Sequence, residues 1–266
     1  MNNEAGNLHR NIGHNQYSMH TDNWANRFYL VERFAQKPQL NAALDLAANA
    51  GGSYDQTTLQ SIIDGLVAGF AVNPNFELVN TTGAANGDVT FANGGGIILA
   101  SSAASAREGI LQAHTNTLQT AWLAAKWNTE DEISFDAVIK TGAAITTHAF
   151  MAGFKLTNTF VTTTDANQTF FRYENAVNSG KIQCIDSNND TDNAMDSGVT
   201  VVLGTDYWLR LVVDGNRVPR YYINGALVAT GNALKATTDL KVFIGVKGNA
   251  QTMKIRGIAC GKSYND

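Results

Sequence analysis

The sequence predicts a mainly β protein, an antiparallel β-sandwich that follows an extended arm and short helices. Three observations carry this. Residues 206–231 read as three consecutive strands joined by tight turns. From residue 76 to the end, short alternating segments recur about every ten residues with no long helix between them, the pattern of a sandwich. The first 72 residues lack that period altogether.

Taken in order, residues 1–23 are rich in Asn, carry His9, His14 and His20 and have almost no apolar side chains, so they read as an extended arm. The histidine spacing fits no helical metal pair. Trp24, Phe28, Val31 and Ala35 then fall at helical spacing. Pro38 suits the first turn of a second helix carrying Leu40, Leu44 and Ala47, which stops at Gly51 and Gly52. Ser53 and Gln56 form a capping box ahead of Leu59, Ile62, Ile63, Leu66, Val67 and Phe70. Residues 1–72 are therefore expected to be an appendage for attachment or oligomerisation, and residues 73–266 the sandwich.

Strands are expected at 76–79, 88–91, 96–100, 118–124, 132–140, 149–156, 169–173, 181–185, 199–203, 240–247 and 252–260, besides the three at 206–231. Phe135, Ala137 and Ile139 alternate with Ser134, Asp136 and Lys140, as does Phe150-x-Ala152-x-Phe154-x-Leu156, the pattern of strands covered on one face. Residues 158–167 and 186–197 read as long polar loops, placed where sandwiches often carry binding loops. In the three-strand run, Tyr207, Leu209, Leu211 and Val213 share one face and Trp208, Arg210 and Val212 the other. Asp214-Gly215-Asn216 and Asn224-Gly225 tolerate positive φ and supply the reversals. Such a meander cannot bury its apolar face alone.

The run Trp208-Leu-Arg-Leu-Val-Val-Asp-Gly215, then Tyr222-Ile-Asn-Gly225 and Leu240-Lys-Val-Phe-Ile-Gly-Val246, resembles concanavalin A-like (laminin G-like) jelly-roll domains over residues 76–262. The resemblance implies a lectin-type sandwich. That fold hosts lectins, glycoside hydrolases, adhesion modules and viral structural proteins, so it leaves the function open.

Composition narrows the classes. The 266 residues are 16% charged and 44% hydrophobic, carry three prolines and have a net charge of −4. Nothing here favours nucleic acid or an anionic membrane, which need clustered Lys and Arg. No apolar run is long enough to span a bilayer, and the first residues lack a signal-peptide pattern, so a soluble protein is expected, whose export would have to be non-classical. Cys184 and Cys260 are expected as two buried thiols, with a single bridge as the alternative.

The candidate chemistry is sparse. Glu132-Ile-Ser-Phe-Asp136 invites comparison with the Glu-x-Asp-x-x-Glu strand of glycosidases of this fold. Ser134 replaces the middle acid, and i and i+4 on a strand lie about 13 Å apart, too far for a retaining pair, so no enzyme is expected. Asp186, Asn188, Asp190 and Asp192 resemble half of a calcium loop, but Thr191 and Ser197 stand where its Gly and closing Glu belong. A plain polar loop is expected; calcium held elsewhere on the sandwich is the other reading. The glycine run before Ile97 leads into no P-loop, and no Ser/His/Asp triad is arguable. Trp122, Trp127 and Tyr173 are the candidates for stacking on a sugar, whereas Trp208 is expected in or beside the core.

Arm, helices and sandwich together resemble a bacteriophage virion protein, a capsid decoration (cement) protein. The resemblance implies a homotrimer on the capsid surface that binds the major capsid protein through its N-terminal region, without cofactor. Trp24, Phe28, Phe34, Leu40 and Leu44 are then the attachment residues. The alternative is a carbohydrate- or receptor-binding module of a phage fibre or spike, with a glycan as partner.

Overall fold

The computed structural model describes residues 27–34, 76–79, 88–101, 108–113, 127–142, 147–157, 160, 165–248 and 251–263. Its strands, in chain order, are β1 (Arg27–Glu32), β2 (Phe76–Val79), β3 (Asp88–Phe91), β4 (Ile97–Ala100), β5 (Glu108–Ala113), β6 (Trp127–Asn128), β7 (Ser134–Thr141), β8 (Ala149–Lys155), β9 (Asn167–Glu174), β10 (Lys181–Asn188), β11 (Thr191–Thr200), β12 (Asp206–Val213), β13 (Pro219–Ile223), β14 (Ala226–Thr230), β15 (Asp239–Lys247) and β16 (Thr252–Ser263). They form two eight-stranded antiparallel sheets. Sheet A runs β14-β13-β12-β7-β16-β4-β3 with β1 also against β16; sheet B runs β11-β10-β9-β8-β15-β5-β2 with β6 against β15.

The period of two decides which side chains meet between the sheets. From sheet A, Phe135, Ala137 and Ile139 of β7 and Tyr207, Leu209, Leu211 and Val213 of β12 are buried. From sheet B come Phe150, Phe154, Phe171, Val242 and Ile244. Aromatic edges lock the layers together, Phe135 against Phe154 at 6.1 Å and Phe171 against Tyr221 at 5.4 Å between centroids. The meander behaves as its sequence dictates. Asn224 and Gly225 take φ of 52° and 85°, the left-handed pair a two-residue hairpin needs. At the other turn the positive φ falls on Arg217 rather than on Gly215 or Asn216. There the Asp214 carboxylate accepts the N–H groups of Asn216 and Val218, and that fixes the loop shape.

Several expectations are corrected. Residues 27–32, expected within a helix with Trp24, Phe28, Val31 and Ala35 on one face, form β1, with Phe28 opposite Lys262 and Val31 opposite Ala259. Phe34 is 3% exposed and packs 6.0 Å from Phe76 in the inter-sheet core, so it is a core residue and unavailable as an attachment anchor. Residues 27–34 thus belong to the sandwich, and a boundary at 72 does not separate it from what precedes. The backbone pairing along β16 outweighs a helical apolar spacing that was itself only four residues deep. Trp24, Leu40 and Leu44, with the helices expected around them and the strand at 118–124, lie outside the described residues. The expected loop 186–197 is a hairpin of β10 and β11, and the strand expected at 199–203 starts eight residues earlier. β11 is polar and lies at a sheet edge, where propensity and alternation carry little signal. β8, expected to be covered on one face, is buried on both: Met151, Phe160, Phe170, Ile185 and Phe243 form a second apolar cluster on the far side of sheet B. There Lys155 is fully buried, its Nζ 3.5 Å from Asp165 and 5.0 Å from the Phe170 ring centroid. Cys184 and Cys260 are free and buried, on separate sheets, and burial pushes both thiols up in pKa.

Candidate functional site

The outer face of sheet A carries the site. Strand register arranges its side chains in rows that cross the strands. One row runs Tyr222, Arg210, Asp136, Ala259, Val31; the next runs Trp208, Val138, Gly257. Because β16 presents only Gly257 and Ala259 in these rows, the face dips into a groove of about 420 Å³ lined by Val31, Arg33, Asp136, Val138, Trp208 and Arg256, among others. The small residues follow from how closely β1 lies: a Cβ at Gly257 would stand 3.2 Å from the Glu32 carbonyl oxygen. Glu32 is itself fully buried, and its carboxylate accepts the Phe34 N–H, which fixes the turn that ends β1.

Trp208 forms one wall. Its side chain is 42% exposed, unusual for the largest apolar residue type. Three hydrogen bonds hold it. The indole Nε1–H donates to Asp136 Oδ1 at 3.0 Å, the backbone N–H donates to Asn224 Oδ1 at 2.9 Å, and the carbonyl accepts the Asn224 N–H at 2.8 Å. A hairpin turn and a carboxylate thus hold an aromatic plane open to solvent. Burial raises the pKa of Asp136, opposed by the positive charge of Arg210 and by the indole bond. Arg256 makes a two-point contact with Asp206, at 2.8 and 3.1 Å, at the groove's edge.

The structure corrects two of the aromatic assignments made from sequence. Trp127 and Tyr173 are 0% and 1% exposed and cannot meet a sugar; Trp127 packs 5.9 Å from Phe154, and Tyr173 stacks 5.5 Å from Phe150. Trp122 lies outside the described residues. Trp208, assigned to the core or its margin, is the exposed one. Alternation had already put it opposite Leu209 and Leu211, and that was the signal available.

The calcium-loop residues do not converge. Asn189 and Asp190 are the left-handed pair of the β10–β11 turn, with φ of 50° and 61°. Asp186 stands opposite Asn193 and Asp192 opposite Ser187, so the two carboxylates lie on opposite faces of the hairpin. Asp186 Oδ1 accepts from Asn193 and Oδ2 from the Asn232 N–H, at 2.8 and 3.1 Å. Asp192 accepts from Gln168, and Asn188 donates to the Ala233 carbonyl. Among the described residues no cluster of three metal-ligating side chains occurs. Glu132 sits ahead of β7 with φ of 47° and accepts from the Ser263 hydroxyl, at the sheet's end, and makes no close pair with Asp136.

Two antiparallel sheets packed face to face are consistent with a concanavalin A-like sandwich, and one of them carries an open groove on its outer face. Among solved structures the chain is similar to a Shewanella oneidensis MR-1 protein of unknown function (TM-score 0.58, 11% identity, 99% of this chain and 95% of that one). It is also similar to the carbohydrate recognition domain of Emp46p in its potassium-bound form (0.50, 10%, 83% and 97%) and to that of Emp47p (0.50, 8%, 72% and 90%). At these identities the likeness is one of fold. No protein-family model and no curated protein matches the chain.

Proposed function

We propose that this protein is a non-catalytic glycan-binding module whose ligand lies in the groove on sheet A. The observation that carries this reading is Trp208, a half-exposed indole fixed by Asn224 and Asp136 on the wall of an open groove. An aromatic plane held ready at no further entropic cost is what a sugar ring stacks on, and polar groups beside it supply direction. Two carbohydrate recognition domains share the fold, which is compatible with this reading. Catalysis finds no support in the groove. Among the described residues, Asp136 and Asp206 stand four residues apart in register on this face, about 13 Å along the strands, beyond both retaining and inverting separations. The full chain immobilised on a glycan array tests the proposal. Trp208→Ala should weaken the strongest hit at least tenfold, the order of one lost stacking contact, while changing the melting temperature by only a few degrees. Unchanged binding would remove the groove as the site.

A second reading sets the module on a virion, as a fibre or spike component or as a capsid decoration protein, homotrimeric and bound to the major capsid protein. Val202 and Leu203 favour it: adjacent in the turn between β11 and β12, they are 56% and 48% exposed, lie outside the groove, and are suited to protein contact. Micrographs of particles with and without the chain test the setting. Light scattering tests the trimer, and a lone 28.6 kDa species would argue against it.

A further inference from the structure

The chain carries a net charge of −4, yet the face that holds the groove is rich in cations. Lys140, Arg210, Lys254 and Arg256 project from it beside Arg33, against Asp136 and Asp206. Several of these charges are already used. Arg256 is paired with Asp206, and Lys254 donates to the Asn93 carbonyl at 2.6 Å. Asp136 gives one oxygen to the indole. Arg33 and Arg210 are exposed and make no ion pair among the described residues. Their position is informative. Arg33 follows the β1 end that lies against Ile258, so it extends the row Trp208, Val138, Gly257 on the far side of β16. Trp208 and Arg33 are then three strand spacings apart, about 14 Å, with small side chains between them. Arg210 lies two residues beyond Trp208 on the same strand face, beside Asp136.

Resting on the glycan reading above, we infer that the groove selects acidic oligosaccharides that carry carboxylates, with one ring on Trp208 and carboxylate groups at Arg33 and Arg210. The floor of Gly257 and Ala259 leaves room for a short chain laid across the strands. Guanidinium offers a planar fork that matches a carboxylate at two points, a match that a neutral sugar cannot make. Exposed charges of this kind also steer an anionic chain to the face, and salt screens that attraction.

The experiment is calorimetric titration of the full chain with oligogalacturonate, hyaluronan fragments and sialyllactose, each beside a neutral counterpart of the same length, and with dextran sulfate. At least one carboxylated probe is expected to bind tenfold or more tightly than its neutral counterpart and to weaken between 50 and about 300 mM salt. Arg33→Ala and Arg210→Ala should each lower that affinity several-fold, while Lys181→Ala, on sheet B and paired with Asp196, leaves it unchanged. Equal affinity for neutral and acidic partners, still abolished by Trp208→Ala, would overturn the acid selectivity and leave glycan binding intact. Equal or tighter capture of dextran sulfate would overturn the preference for carboxylate. No binding to any probe would remove both readings.

Discussion

At the scale of single residues, burial decides what each polar group does. His148 is 1% exposed, with its ring 6.1 Å from Phe150 and 6.0 Å from Tyr173. Burial lowers its pKa from 6.5 to about 4, opposed only in part by the Gln251 side chain. The unfolded chain therefore takes up the proton first. The stability that neutral His148 supplies is complete above pH 6.5 and is lost as pH falls toward 4, about 3 kcal/mol in all. A melting series from pH 7.5 to 4 should show this slope, and His148→Phe, which keeps an aromatic among aromatics, should flatten it. Identical slopes for the two proteins would assign the pH dependence to other groups. Asp186 shows the same physics with the opposite sign: desolvation raises its pKa, opposed by the bonds from Asn232 and Asn193.

Among elements, the β12–β13–β14 meander is both the most local part of the fold and the support of the site. Its Asn224-Gly225 turn closes the hairpin and anchors the Trp208 backbone. Asn224→Ala places an alanine at φ of 52° and removes the acceptor for the Trp208 N–H. A loss of about 1–2 kcal/mol is expected in denaturant titration, with weaker glycan capture. Asn224→Gly should recover most of the stability and not the capture, because the turn returns without the acceptor. Full recovery of both would show that the Asn224 side chain does not position Trp208.

For the whole molecule, β1 changes how the chain must be divided. A strand paired along the whole of Arg27–Glu32, with the buried Phe34 two residues beyond its end, is structural in the sandwich rather than an accessory to it. Deleting the equivalent of one buried Phe alone costs about 3–5 kcal/mol. Residues 73–266 expressed alone should therefore melt at least 10 °C below a chain that begins at residue 24, or fail to fold. Equal melting temperatures would restore the two-part division. Metal removal should do little by comparison. With Asp186 and Asp192 on opposite faces of a hairpin, EDTA is expected to shift melting by less than about 3 °C; a drop beyond 10 °C would reveal a tightly bound ion.

By itself the sequence determined what is local and periodic. The alternation at 134–140 and 207–213 placed Phe135, Leu209 and Leu211 between two sheets, and Asn224-Gly225 closed a hairpin before any partner strand was known. The tertiary structure decided what depends on neighbours distant in the chain. Whether Trp208, Trp127 or Tyr173 meets solvent depends on which sheet face is covered, and that is set by packing rather than by alternation. Residues 27–32 became a strand because β16, more than 200 residues away, offered an unpaired edge that a short apolar spacing could not announce. The groove has the same origin: Asp136, Trp208 and Gly257 come from three strands and Arg33 from the residue after a fourth, and only long-range pairing brings them into adjacent rows on one face.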